Sequence, residues 1–588
     1  MVPTETDFLR ALETPREVVQ DIYARHYDPV NQRVDTSVVV SAVQTHFRDV
    51  FHDWERKARV RTALLTKIPI LDASSSAQLT KQALSTQGRT HGVLVRWVCM
   101  IQDTGLGCEM YLGTLKSDGQ VMCGLYGAES GWDHSAELST SADLMAERLV
   151  VSAESIPGQS SWARRLLDGN KQEDMTSALN RLAIDPKNSE CEGEQRKSCS
   201  DPSKITALLK FADVDHAEQL RTTELVEVIG LLDISNAPHS DLSLHSDPSA
   251  AVPEMICIHA LRFGPTTHTQ LLSPLLCNAS LTLQSSHTSL KDVRAHLIRY
   301  FAKFLQGDTL AAEFLLLALI AKIHTRRPGV SVGSLSLNLS NIQNQPLMSI
   351  NNTDSQQTHT NISEQLFQAI RCVAPAVVRE ELSLSSLNNP ERSYFVRSTD
   401  TGISSAQLQL PPNTCVLVDE TCMGEGQLED MGVRNIRSLA NLLENHSLSY
   451  QFPFSEMNLD TDQNVVIFST GKTFLPVDIH LPLRAAELSA HVSMPEDSLD
   501  DLNAFRNYLL IAQASETSID ESMSVPIQDY FVDRRRNAPS FAFTELDLQR
   551  CINLARIVAK SFGHTQLNME SWHHAVQLEE ERKQRLSP

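Results

Sequence analysis

The chain has 588 residues, and at roughly 100–200 residues per domain this length predicts several domains. Its 72 acidic residues outnumber its 51 basic residues, and the formal net charge is -21. A nucleic acid would be repelled unless the chain held a local basic patch. The longest basic run, Arg534–Arg536, is typical of the exposed end of a helix. The acidic balance therefore favours protein partners with basic surfaces.

The cysteines and the apolar runs exclude two further classes of protein. The 11 cysteines are scattered without a Cys-x-x-Cys pair, unlike the disulfide framework of a small secreted domain. Residues Met1 to Arg10 lack the charged-then-apolar pattern of a signal peptide. The most apolar run, Leu310–Ile323, is too short to cross ~30 Å of hydrocarbon. We expect a soluble intracellular protein with reduced thiols and no membrane association.

The first third of the chain combines helical and extended patterns. Residues 1–60 are typical of helices with irregular connections. From Val93 to Gly113 apolar and other residues alternate, which predicts strands on either side of a turn at Gly105–Gly107. Residues 168–203 are polar with few aromatic side chains and are predicted to be a disordered linker.

A second β-rich stretch follows the linker. Strands are predicted at Ile205–Phe211, at Leu225–Leu232 with a break at Gly230, and at Met255–Leu261, and residues 235–253 are predicted to form a loop. Short strands with glycine breaks suit an OB-like barrel. They suit other small β folds equally, so both interpretations stay open.

The second half of the chain is predicted to alternate helices and strands. Leu310–Ile323 is apolar on nearly all faces, which indicates a buried helix, and Asp308 or Thr309 is placed to cap it. A turn at Pro328–Gly329 comes next. The strands predicted in this half are Leu335–Leu339, Cys415–Val418 and Val465–Phe468. Alternation of this kind favours an α/β layer with a largely parallel sheet.

The last 90 residues are predicted to be helical. Thr544 and Asp547 have the spacing of a capping box at the start of a helix, and Gly563 is a plausible stop at the end of that helix. A final helix is predicted from about Asn568. It carries His573-His574, which have no metal-ligand spacing and are predicted to be surface residues.

One pair of acidic residues has the pattern of a nucleotide site. Asp419 and Glu420 follow four apolar residues, as in the Walker B motif, where Asp holds Mg²⁺ and Glu polarises water. Such a site also needs a G-x-x-x-x-G-K-[ST] loop, but Ser340–Pro346, after the strand in the expected place, has no Gly and no Lys. We therefore favour a structural anchor over nucleotide binding and predict no cofactor, no metal and no catalytic residue.

A second candidate phosphate loop is rejected on its context. Ser469–Thr473 ends like a P-loop and follows a predicted strand, but Val466 stands where the first Gly belongs. Pro476 follows where a helix should begin, and a proline disfavours helical angles in the residue before it. A turn after a core strand is the better interpretation.

Several blocks of the sequence form recognisable motifs: Ile68–Asp72, Val98–Asp103, Glu109–Gly113, Pro157-Gly158 with Ser161-Trp162, Gly307–Leu316 through Arg326 to Leu335–Leu339, Leu408–Pro411 through Asp419–Thr421 to Gly426–Leu428, Gly432-Val433 with Asn435, Phe474–Pro476, and Ser561–Gly563 through Trp572. In these colinear blocks, over most of residues 90–588, the chain resembles the minichromosome maintenance (MCM) complex-binding family. The segment Gly105–Cys108 departs from the more compact family pattern.

The resemblance implies a nuclear, non-catalytic protein that binds MCM helicase subunits and acts in DNA replication. It also implies roles in MCM supply, in MCM release from chromatin and in sister-chromatid cohesion during the cell cycle. Its contact with chromatin would be indirect. Two alternatives stay open: a single-strand DNA-binding OB-fold protein and an ATP-binding MCM-like subunit.

The order of the predicted elements also resembles an MCM subunit itself, and from it we infer an α+β multidomain protein with an OB-like β-rich region, a degenerate AAA+-like α/β domain and a C-terminal helical lid. The predicted segments are 1–167 (helical and β region), 168–203 (polar linker), 204–264 (OB-like β segment), 265–290 (loop), 291–490 (degenerate AAA+-like domain) and 491–588 (lid-like helices). Docking on a real subunit through the face that a neighbouring subunit uses would then explain binding without catalysis.

Overall fold

The computed structural model describes most of the chain. The described residues are 5–28, 30, 34–56, 67–85, 91–117, 120–126, 145–167, 204–236, 254–280, 289–327, 330–342, 362–399, 402–484, 499–537 and 544–586. Within these ranges, helices are either too short or too polar to cross a membrane.

The helices vary from one turn to six. In chain order they are α1 (Glu5–Glu13), α2 (Pro15–His26), α3 (Thr36–Arg56), α4 (Ser76–Leu84), α5 (Ser161–Leu167), α6 (Val214–Ala217), α7 (His268–Ser280), α8 (Leu290–Phe304), α9 (Thr309–Ile320), α10 (Ile362–Val373), α11 (Leu384–Leu387), α12 (Asp430–Asn445), α13 (Leu499–Ala514), α14 (Ser524–Asn537), α15 (Glu545–Ser561) and α16 (Met569–Leu586).

The strands form sheets of different character in the two halves of the chain. In chain order they are β1 (Leu94–Asp103), β2 (Cys108–Leu112), β3 (Thr114–Ser117), β4 (Gln120–Cys123), β5 (Met145–Ser155), β6 (Thr206–Phe211), β7 (Leu225–Asn236), β8 (Glu254–Thr266), β9 (Thr325–Arg327), β10 (Val330–Val332), β11 (Leu337–Ser340), β12 (Val377–Glu381), β13 (Val396–Thr399), β14 (Gly402–Ser404), β15 (Cys415–Asp419), β16 (Ser447–Gln451), β17 (Glu456–Asp460), β18 (Asn464–Phe468) and β19 (Ile479–Pro482).

The chain divides into two compact units. The first contains residues 1–157, 196–267 and 397–405, and the second contains residues 158–195, 268–396 and 406–588. Each unit has its own hydrophobic core.

The first unit is built on a closed ring of five strands. β1 pairs with both β5 and β7, and the ring continues from β7 through β8 and β6 back to β5. All these pairs are antiparallel except β6–β8, which is parallel. If the ring strands are numbered 1 to 5 along the chain, their order around the ring is 1-2-3-5-4. The first strand predicted before the linker and the three strands predicted after it therefore belong to one ring, whereas the second strand before the linker, β2, pairs with β5 and is not a ring strand.

Alternating side chains of the ring fill its interior and cover its outer face. Val95, Trp97 and Cys99 of β1 are buried in one cluster, which holds inward residues from all five strands. Leu94, which directly precedes Val95, belongs instead to the cluster formed with helices α1–α3, as does Leu231 of β7. The predicted alternation from Val93 and the predicted helices in residues 1–60 are confirmed.

The predicted break at Gly230 is a β-bulge within a continuous strand. The register of β7 against β8 shifts between Ile229 and Gly230, and pairing resumes at once. A Cβ atom on Gly230 would lie 2.3 Å from the carbonyl oxygen of His259. Glycine is therefore required at this position because the neighbouring backbone comes too close for a side chain.

The second unit is built on a parallel sheet of five strands in the order β12-β15-β18-β11-β19. The predicted strands at Leu335–Leu339, Cys415–Val418 and Val465–Phe468 correspond to β11, β15 and β18, and the predicted parallel pairing is confirmed. Numbered along the chain, the sheet strands have the order 2-3-4-1-5, so β18 separates β11 from β15.

The predicted buried helix is α9, which ends at Ile320 instead of Ile323. Of the two candidate caps, Asp308 is the one used, and its carboxylate accepts a hydrogen bond from the Ala311 N–H at 3.0 Å. Most α9 side chains are buried in a core that also holds residues of the sheet and of helices α8, α10, α13 and α15.

The C-terminal helices begin and end where the sequence predicts. Thr544 and Asp547 form the capping box of α15, and Gly563 follows this helix at φ +75°, a left-handed conformation that suits glycine. Arg534–Arg536 lie in the last turn of α14, as predicted, and α16 begins at Met569, one residue after Asn568.

Two predictions are corrected. Residues 265–290 were predicted to be a loop, but His268–Ser280 form α7; Leu272 and Leu276 are buried, and Pro274 is accommodated inside the helix. His574 was predicted to be a surface residue, but it is only 31% exposed, and its Nε2 lies 2.6 Å from Glu313 Oε1 on α9. A histidine on an amphipathic helix has the same local pattern in both situations, so the sequence could not separate them.

The predicted linker at 168–203, the turn at Pro328–Gly329 and most of the predicted loop at 235–253 lie outside the described residues.

Candidate functional site

The two acidic residues of the Walker-B-like pattern lie at the carboxyl end of β15, an inner strand of the parallel sheet. Asp419 is the last residue of this strand, and Glu420 begins a short 3₁₀ turn. In open α/β sheets, ligands bind at the carboxyl ends of the strands, so this edge is where a nucleotide would be expected. Both side chains are buried, and their contacts decide what the edge can do.

The Asp419 carboxylate is fully engaged by protein groups. Its Oδ2 accepts hydrogen bonds from Ser363 Oγ at 2.5 Å and from Arg379 Nη2 at 2.9 Å. Its Oδ1 accepts from the Thr421 hydroxyl at 2.5 Å and from the Thr421 N–H at 3.0 Å. Burial alone would raise the pKa of Asp419, but these hydrogen bonds outweigh burial and hold the pKa below its ordinary value.

Arg379 supplies the positive charge next to Asp419. It lies on β12, the strand beside β15, and its side chain is 12% exposed whereas that of Asp419 is fully buried. Arg379 also pairs with Glu364, the third residue of α10, and lies 3.3 Å from Glu381. Burial lowers the pKa of Arg379, but the bond to Asp419 and the two neighbouring carboxylates raise it above its ordinary value.

Glu420 is bound to a different element. Its Oε1 accepts a hydrogen bond from the hydroxyl of Thr473, in the segment that follows β18. Burial raises the pKa of Glu420, and the bond from Thr473 opposes this only in part. Glu420 therefore connects the ends of β15 and β18.

The segments where a phosphate loop would lie have the wrong residue types. β11 ends at Ser340, and the next helix in the described part of the chain, α10, begins at Ile362. In a P-loop the residues Gly, Lys and Ser/Thr lead into this helix, and here the sequence reads Asn361, Ile362, Ser363. An apolar side chain therefore stands where the motif has its ammonium, and Ser363 donates to Asp419.

The rejected second loop is a turn, as predicted. Ser469–Thr473 follow β18, and no helix occurs before β19 begins at Ile479. Lys472 is exposed, whereas Thr473 is buried and donates a hydrogen bond to Glu420.

The residues that hold the two acids could not have been identified from the sequence. Ser363 and Arg379 precede Asp419 by 56 and 40 positions, and Thr473 follows Glu420 by 53. Each was unremarkable in its local pattern. The one available signal was the parallel pairing of strands, which places the end of β12 beside the end of β15.

The arrangement does not fit a magnesium nucleotide. The carboxylate that would coordinate Mg²⁺ is already paired with a guanidinium, and an arginine cannot lose its proton in a protein. The described part of the chain also contains no group of three or more His, Cys, Asp or Glu side chains arranged to hold a metal ion. What the site does chemically is hold together the ends of three neighbouring strands.

Comparisons with known proteins match nearly the whole chain. The model of a family described as mini-chromosome maintenance replisome factor matches residues 57–208 and 200–586. Each relative named here is a mini-chromosome maintenance complex-binding protein. The Arabidopsis thaliana protein is 27% identical over 95% of both chains, and the Danio rerio protein is 27% identical over 83% of this chain and 87% of its own. The Homo sapiens protein is 29% identical over 66% of this chain and 60% of its own.

Proposed function

This chain belongs to the mini-chromosome maintenance replisome factor family, and from that premise we propose that it is a non-catalytic protein that binds subunits of the MCM helicase. The name shared by its relatives supports this assignment of a partner. The observation that carries the non-catalytic part is the pairing of Asp419 with Arg379.

The architecture supports a degenerate MCM-like chain. The closed ring of the first unit, with one parallel contact and a short helix between its third and fourth strands, suits an OB-like barrel. The parallel sheet of the second unit, with paired acids at the carboxyl end of an inner strand and helices after it, suits an AAA+-like domain with a lid. Because fold alone does not define function, the residues of the site carry the argument.

In this proposal the second unit contributes a surface of the right shape for binding and does not hydrolyse ATP. A chain that shares the architecture of a helicase subunit can occupy the position of a neighbouring subunit. The Arg379–Asp419 pair keeps the carboxyl ends of the strands ordered without a nucleotide. Because this pair replaces the nucleotide, we expect the chain to bind its partner whether or not ATP is present.

The biological role that we propose is nuclear. By holding MCM subunits outside the assembled helicase, the protein would support their supply and their release from chromatin, with sister-chromatid cohesion depending on both. The segmentation at residues 167, 203, 264, 290 and 490 remains a prediction. A net charge of -21 opposes the single-strand DNA-binding alternative.

The proposal is tested by purifying the tagged full-length protein from nuclear extract at moderate salt and identifying the proteins that co-elute. We expect MCM subunits in stoichiometric amounts, with no change when ATP is removed by apyrase. Recovery of no MCM subunit from wild-type protein would refute the assignment, and recovery only in the presence of ATP would refute the non-catalytic mechanism.

A further inference from the structure

The hairpin of β16 and β17 ends in an exposed aromatic tip. Residues Phe452–Ser455 connect the two strands, and the Phe452 N–H donates to the Ser455 carbonyl at 2.8 Å across the turn. Phe454 is fully exposed at 102% of its reference area, and Phe452 and Met457 are exposed as well. We call Phe452, Pro453, Phe454 and Met457 the hairpin tip.

The hairpin tip has the properties of a binding anchor. A fully hydrated phenylalanine is unfavourable in solution, and its burial by a partner would remove a large apolar area from water. Pro453 restricts the turn, and phenylalanine has few rotamers, so little conformational entropy would be lost on binding. Tyr450 of β16 is buried, so the strand that leads into the hairpin tip is itself held in place.

The charge around the hairpin tip indicates the chemistry of the partner. No Lys or Arg occurs between Arg437 and Lys472, and the acidic residues of this stretch include Glu456, directly after the turn, and Asp460 at the end of β17. Asp460 lies 3.6 Å from Arg326, but Glu456 bonds only to the neutral hydroxyl of Ser449 among the contacts described. An apolar anchor beside an unneutralised carboxylate complements an apolar pocket with Lys or Arg at its rim.

We propose that the hairpin tip inserts Phe454 into an apolar pocket, rimmed by Lys or Arg, on an MCM subunit. The inference rests on the proposed function, because it names the part of this chain that contacts the MCM partner. A rim arginine would gain both a salt bridge with Glu456 and a contact with the aromatic face of Phe454.

Two other occupants are disfavoured by the same residues. Single-stranded DNA can stack its bases on exposed aromatic rings, but such sites also track the phosphates with basic side chains, which this stretch lacks. A second copy of the chain could pair along β17, the outer strand of its sheet. If two copies paired antiparallel along the whole of β17, Glu456 of each copy would lie opposite Asp460 of the other, and like charges across strands are destabilising.

The test uses the tagged full-length protein and compares Phe454→Ser with Leu546→Ser. Leu546 is also an exposed apolar residue, at 65%, and lies at the start of α15, so it controls for a general loss of apolar surface. Recovery of MCM subunits should fall at least about 10-fold for Phe454→Ser, as for an interface hot spot, and stay unchanged for Leu546→Ser. Glu456→Lys should weaken recovery, and Glu456→Asp should retain it.

A photocrosslinking arm identifies the occupant. With p-benzoylphenylalanine at position 454, irradiation of the purified complex should attach this residue to an MCM peptide that contains apolar and basic residues. Crosslinks from position 454 to added single-stranded DNA or to a second copy of the chain would overturn the inference and leave the proposed function intact. The same holds if Phe454→Ser recovers MCM subunits fully and the protein with p-benzoylphenylalanine at position 454 gives no crosslink to them. Failure of wild-type protein to recover any MCM subunit would overturn both.

Discussion

Arg379 on β12 donates a hydrogen bond of 2.9 Å to Asp419 on the neighbouring strand β15, where the side chain of the aspartate has no exposed area. In an ATPase with paired acids at this place, the carboxylate would have to be available to a magnesium ion. Here its negative charge is compensated from within the fold. Asp419 therefore stabilises the sheet, although an aspartate at this place is associated with catalysis in an ATPase.

We expect Arg379→Ala to destabilise the second unit by about 3–5 kcal/mol, because it leaves Asp419 buried without a counterion. The urea midpoint of the transition followed by tryptophan fluorescence measures this effect. Arg434→Ala is the matched control: Arg434 forms an exposed pair with Asp430 at 3.8 Å, and its loss should cost no more than about 1 kcal/mol. Equal midpoints for the two variants would contradict the structural role of the Arg379–Asp419 pair.

We expect the protein to bind no magnesium nucleotide at millimolar concentration, because the carboxylate that would coordinate the ion is occupied by Arg379. Fluorescence anisotropy of a labelled ATP analogue, titrated with and without Mg²⁺, measures binding directly. Asp419→Asn and Glu420→Gln should give the same baseline as the wild type. Saturable binding that requires Mg²⁺ and disappears in Asp419→Asn would show that the pair opens to admit a nucleotide.

Lys560 predicts a specific pH dependence. This residue of α15 is 8% exposed, and burial lowers the pKa of its ammonium to about 8, with Lys322 acting in the same direction and Asp462 opposing it. Below pH 8 the amine is protonated in both the folded and the unfolded chain, so the folded state bears the full cost of the buried charge. That cost decreases as pH rises from about 8 to the ordinary lysine pKa of 10.5, so the contribution of Lys560 to stability rises over this range.

Lys560→Met should therefore raise the free energy of unfolding at pH 7 by about 1–3 kcal/mol, after allowing for the lost bond to the Gln513 carbonyl at 3.1 Å. Thermal melts of wild type and variant at pH 7 and at pH 10 measure the gain, which should shrink at the higher pH. Lys291→Met, at an exposed ion pair, should change neither melt. A gain that is equal at both pH values would contradict the low pKa.

The bulge in β7 provides a prediction for the first unit. Gly230→Ala would place a Cβ atom 2.3 Å from a backbone carbonyl, and the strands would have to separate locally, at a cost of about 1–3 kcal/mol. Gly264→Ala is the control, because it lies on the partner strand β8 with nothing within 4 Å of its Cβ. Thermal melts of the two variants should differ by several degrees. Equal destabilisation would mean that loss of glycine, and not the close approach, is responsible.

Features that depend on neighbouring residues in the chain could be predicted from the sequence. The alternation at Val95 and Trp97, the continuous apolar face of α9 and the capping box at Thr544 each specify a local structure. The parallel sheet followed from the alternation of helices and strands. Local patterns also allowed the acids at the end of β15 to be singled out, because four apolar residues precede them.

Features that depend on which strands become neighbours could not be predicted. Nothing near Arg379 in the sequence indicates that it would pair with Asp419, and nothing near β1 indicates that it would close a ring with β5. The helix α7 was missed for a related reason: Pro274 argues against a helix locally, and the packing of Leu272 and Leu276 outweighs it. Tertiary contacts decided each of these cases.

The position of α9 has a consequence for synthesis on the ribosome. This Leu-rich helix is complete at Ile320, but helices that share its core, such as α15, end only at Ser561, about 240 residues later. At about 5–20 residues per second, translation leaves that apolar surface exposed on the nascent chain for roughly 10–50 s. The chain would thus itself depend on molecular chaperones while it is being made.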